Sequence, residues 1–63
     1  MAWELYEVWG VDQDGYEELI DTTNSLKQAR SIAYVSIELD TLQEVIIYKD
    51  IDDELVEAER IRP

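Results

Sequence analysis

WELYEVWGVDQDGYEELIDT, residues 3–22, is the stretch that decides the fold. From Trp3 to Val11 it is rich in aromatic and β-branched residues and alternates in part between apolar and polar, which predicts a strand. Asp12-Gln13-Asp14-Gly15 predicts a turn. Aspartate side chains bond nearby backbone amides, and Gly15 can take the positive φ that closes a hairpin. Tyr16 to Thr22 then reads as the return strand.

Downstream, Thr22-Thr23-Asn24-Ser25 is a run of helix-capping residues, with Asn24 or Ser25 placed to accept from the first free amides. A helix is predicted from about Leu26 to Glu38. Leu26, Ala29, Arg30, Ala33 and Ile37 fall on one face at spacings of three and four, with Ile32 and Ser36 beside them. Ala29 and Ala33 are small and allow a close approach to a sheet. Glu44 to Lys49 reads as a third strand, Asp50-Ile51-Asp52-Asp53 as a second turn, and Glu54 to Ile61 as the last strand. Residues 1–63 are thus expected to form a single α+β domain in the order β-β-α-β-β. Its four-stranded, mainly antiparallel sheet carries one helix on one face.

One helix covers one side of a sheet, so the strand alternation has to be divided between a core side and an open side. Trp3, Leu5, Trp9 and Val11, beside Tyr16 and Ile20, outnumber Tyr6, Val8 and Leu19, and the larger set is expected under the helix. On the third strand Val45 and Ile47 are expected inward, with Ile46 and Tyr48 outward, since tyrosine favours a wet rim for its hydroxyl. The open side would then hold an apolar stripe of Tyr6, Val8, Leu19, Ile46 and Tyr48 ringed by carboxylates, the usual form of a protein-binding patch. A one-residue slip of register would exchange the two sets. Glu57 and Glu59, two apart on the last strand, are expected on one face.

The chemistry available is narrow. The 63 residues include no cysteine and no histidine. Disulfides, thiolate or imidazole metal sites and histidine-activated nucleophiles are therefore out of reach, and no cofactor is expected. Phosphate-cradling glycine motifs are absent, since Gly10 and Gly15 stand alone. Carboxylates could do acid–base work, but so small a chain lacks the cleft walls that set two of them apart, and an enzyme is not expected. Asp12, Asp14 and Gly15 match a calcium-binding EF-hand loop poorly, with Gly in the fourth place rather than the sixth. Asp50, Asp52, Asp53 and Glu54 would hold Ca²⁺ or Mg²⁺ weakly at most. With no leader-like or membrane-length apolar run, a cytoplasmic location is expected.

Charge is the outlying property. Sixteen Asp and Glu oppose five Lys and Arg, for a net −11. That equals the phosphate charge of about 19 Å of duplex DNA. Direct binding to nucleic acid or anionic lipid is disfavoured, and a basic protein surface is the favoured partner. The acids cluster at the turns: Asp12, Asp14, Glu17 and Glu18 at the first, Asp50, Asp52, Asp53 and Glu54 at the second. If both turns project to one side, eight carboxylates converge. In size, acidity and lack of catalytic signature the chain resembles the small acidic inhibitors that phages and mobile elements direct against nucleases and other nucleic-acid-binding proteins. That resemblance implies an inhibitor or modulator acting by nucleic-acid mimicry. The alternative is a homo-oligomer joined through the open face or an edge strand, which would also supplement a small core.

Overall fold

A computed structural model describes residues 4–63. It contains β1 (Leu5–Val11), β2 (Glu17–Thr23), α1 (Leu26–Leu39), β3 (Glu44–Ile51) and β4 (Glu54–Ile61). The strands form one antiparallel sheet in the order β2-β1-β3-β4, so the two hairpins join through β1 and β3. The α+β architecture is the one expected. Trp3, expected under the helix, lies outside the described residues.

Ser25 caps α1: its hydroxyl accepts from the Gln28 amide at 3.3 Å. The helix buries Ala29, Ala33, Ser36 and Ile37. Its partners on the sheet are Tyr6, Val8, Val45, Ile47 and Ile61, with Ile20, Leu26, Ile32 and Leu42 packed around them. Val8, Val45 and Ile47 have no solvent exposure at all. Each buried Val or Ile side chain contributes roughly 1.5–3 kcal/mol, so this face carries the fold. Arg30 leaves the core and reaches across to Glu59 on β4 at 3.0 Å. Among the described residues no helix is long and apolar enough to cross a membrane.

The division of β1 between the two faces is the reverse of the expected one. Tyr6 and Val8 are core residues, 5% and 0% exposed, and are not available to a partner. The β1–β3 register sets Val8 opposite Ile47 on the helix side and Trp9 opposite Ile46 on the open side. The reason lies at Gly10, which shares the helix side. A Cβ there would stand 2.8 Å from Leu42 Cδ1 and 2.9 Å from Ile20 Cδ1. The volume missing from β1 is filled by side chains from β2 and from the loop after α1.

On β3 the expected division stands. Val45 and Ile47 face the helix, while Ile46 and Tyr48 share the open face with Trp9 and Glu7. Ile46 is nevertheless only 3% exposed, flanked in register by Trp9 and Arg60. Leu19 lies opposite Trp9, on the open face, and is exposed. Two bulges complete the sheet, with Ile20 as the extra residue of β2 and Ala58 that of β4. The second sends Glu59 to the helix side and Glu57 to the open side, so the two glutamates do not share a face.

Candidate functional site

The register also decides where the acids go. Val11 pairs with Glu44, and Leu5 with Asp50, so β3 ends where β1 begins. The two hairpin turns therefore lie at opposite ends of the sheet, and the eight turn carboxylates do not converge. The seven residues of β1 separate the ends by roughly 23 Å. The Debye length in physiological salt is about 8 Å, so the two ends act as independent charges.

The first end is built firmly. Asp12 Oδ1 accepts from the backbone amides of Asp14 at 2.9 Å and Tyr16 at 3.0 Å. The Asp12 amide donates to the Tyr16 carbonyl at 3.0 Å, and Gly15 takes a φ of 89°. Helix α1 runs toward this end. The Gln43 amide donates to the Val11 carbonyl at 2.8 Å, and Gln13 Nε2 donates to the Thr41 carbonyl at 3.1 Å. These bonds tie the first turn to the loop after the helix, and so bring Glu38 and Asp40 to the same end as Asp12, Asp14, Glu17 and Glu18. The last turn of α1 contains no basic residue, so the negative end of its dipole adds to the six carboxylates.

Between the first turn and the end of α1 lies a cleft of about 430 Å³. Gly10, Ile20 and Leu42 form its floor, Tyr16 stands at its wall, and Asp12, Glu18 and Asp40 line its rim. Tyr16, expected in the core, is 74% exposed. Sequence reasoning assigned none of Glu38, Asp40, Leu42 and Tyr16 to a site. Their grouping depends on the β1–β3 register, for which periodicity gives no signal.

The second end is plainer. Ile51 pairs with Glu54, leaving Asp52 and Asp53 as a two-residue turn at φ 50° and 65°. Aspartate tolerates this left-handed region better than most residues but remains strained in it. Asp50 sits between Leu5 and Leu55 in register, and both leucines are exposed. Among the described residues no group of three or more Asp or Glu side chains is arranged to hold a metal ion.

The open face holds the chain's main polar network. Arg60 donates to Glu44 at 2.6 Å and to Glu57 at 2.7 Å, and Arg62 donates to Glu44 at 3.1 Å. Trp9 Nε1 donates to Glu7 at 3.0 Å. The Glu57 carboxyl is held below the usual glutamate range by its hydrogen bonds from Arg60. The Tyr48 phenol is raised, first by burial and then by the charges of Glu17 and Glu57, with its hydroxyl 3.4 Å from Glu17. With Lys49–Glu4 and Arg30–Glu59, four of the five cations are committed to four acids. Twelve of the sixteen carboxylates have no cationic partner among the described residues, and six of them are at the first end. No protein family, curated protein or solved structure matches this chain.

Proposed function

We propose that this chain is an acidic protein-binding module that occupies a basic, nucleic-acid-binding surface of another protein and so inhibits or modulates it, standing in for nucleic acid. The observation that carries the reading is the first end. Six carboxylates and the negative end of a helix dipole meet there on a braced scaffold, and none of the six has a cationic partner among the described residues, Arg60 and Arg62 being bonded to Glu44. Such a field steers a basic partner toward this end and repels polyanions. The small acidic inhibitors of phages and mobile elements work in the cytoplasm in this manner, and the same role is proposed here.

The test uses the immobilised chain and a variant with Asp14→Asn, Glu17→Gln, Glu18→Gln and Asp40→Asn. Nucleic-acid-binding proteins retained by the parent should be released between 50 and 500 mM NaCl, and by added duplex DNA, while the variant should retain few. Retention unmoved by salt, DNA and the four substitutions would remove the proposal.

Self-association is a second reading, favoured by exposed Leu5 and Leu55 on either side of Asp50 at the other end. Sedimentation of the isolated chain decides it. A monomer at several hundred micromolar would rule it out.

A further inference from the structure

We propose that the cleft at the first end receives one arginine side chain of the basic partner. This rests on the reading of the chain as a module for basic proteins, and adds the residue type that anchors the contact.

The floor is apolar by construction. Gly10 has no side chain, so Leu42 Cδ1 and Ile20 Cδ1 close over the backbone where a Cβ would stand at 2.8 and 2.9 Å. Both residues are half-buried and present carbon upward. Tyr16 adds a ring that is 74% exposed, outside the core. An aromatic face beside carboxylates suits a planar cation, which can stack on the ring while bonding the acids.

The rim supplies complementary charge. Asp12 lines the cleft with Oδ1 accepting from two backbone amides, which fixes the position of its carboxylate. Glu18 and Asp40 have no side-chain partner among the described residues, and the helix dipole ends beside Asp40. No cation among the described residues reaches the cleft. Arg30, Lys49, Arg60 and Arg62 are paired elsewhere, and Lys27 lies in the first turn of α1, at the far end. A guest with an apolar stem and a forked, planar head fits these features. The three methylenes of arginine would lie on Ile20 and Leu42, and its guanidinium would meet Tyr16, Glu18 and Asp40. At about 430 Å³ the cleft is at the small end of ligand-holding sites and has no room for a helix.

The experiment is an amide-resonance titration of the intact chain with octa-arginine and, separately, octa-lysine in 50 mM salt. Arginine should bind at least fivefold tighter. Its largest shifts should fall at Gly10, Tyr16, Glu18, Ile20, Asp40 and Leu42. Tyr16→Ser should lower arginine affinity about fivefold with little effect on lysine, and Glu18→Gln with Asp40→Asn should lower it tenfold or more. Equal affinities, with shifts spread over both acidic ends and no effect of Tyr16→Ser, would overturn the anchor while leaving the basic-partner reading in place. No binding of either peptide would overturn both.

Discussion

The two ends of the sheet carry the same number of turn acids and differ in nearly everything else. At the first, Asp12 organises the backbone, Gly15 takes the positive φ, and the bonds from Gln13 and Gln43 fasten the turn to the end of α1. At the second, two aspartates occupy the left-handed region themselves, and the C-terminal end of α1 lies at the opposite end of the sheet. The difference teaches that acid content alone does not make a site. The neighbours decide whether carboxylates form a concave, braced rim or a bare turn.

The contrast can be broken most directly at Asp12. Asp12→Ala removes the acceptor of two backbone amides, and unfolding in urea should show a loss of about 1–2 kcal/mol. An unchanged midpoint would mean that the first turn is not held as described. Glycine sharpens the comparison in opposite directions. Gly15→Ala should destabilise by about 1 kcal/mol, because a side chain is forced into positive φ. Asp53→Gly should stabilise, since relief of roughly 1–2 kcal/mol exceeds the 0.5–1 kcal/mol entropy cost of glycine. Equal signs for the two changes would erase the distinction.

Glu38→Lys should raise stability by about 0.5 kcal/mol in low salt by opposing the helix dipole, with the gain fading by 500 mM NaCl. A thermal melt at each salt checks it. The finest test uses Tyr48, whose phenol is raised by burial, Glu17 and Glu57. The folded chain holds this proton longer than the unfolded chain, so stability should fall as pH rises past the ordinary tyrosine value. Ultraviolet titration should show Glu17→Gln lowering the Tyr48 ionisation, whereas Asp52→Asn at the other end should leave it unmoved.

Much of the fold is legible along the chain because its signals are local. The hairpin residues Asp12 to Gly15, the cap Ser25 and the small face Ala29–Ala33 each act within a few residues, and each appears where the sequence places it. The facing of β1 is not local. Counting apolar residues favoured Trp9 and Val11 for the core. The structure instead puts Tyr6 and Val8 under the helix, because Leu42 and a bulged Ile20 fill the space over Gly10, and Val11 is buried on the other side. A bulge shifts alternation by one residue without changing composition, which also explains the separation of Glu57 from Glu59. The candidate site was half visible. Asp12, Asp14, Glu17 and Glu18 are a sequence cluster, but Glu38 and Asp40 join them only through the antiparallel course of β3.

Both outer strands of the sheet are the bulged ones, with Ile20 in β2 and Ala58 in β4. A free strand edge is a template for further copies, and an extra residue kinks that template so that a neighbour cannot stack in step along it. In a chain this small, with a strand edge on both flanks, such kinks oppose edge-to-edge growth into fibres. Deleting Ala58 would straighten one flank. Amyloid-dye fluorescence that stays flat in such a deletion at neutral pH and high salt would show that the kink does not serve as this guard.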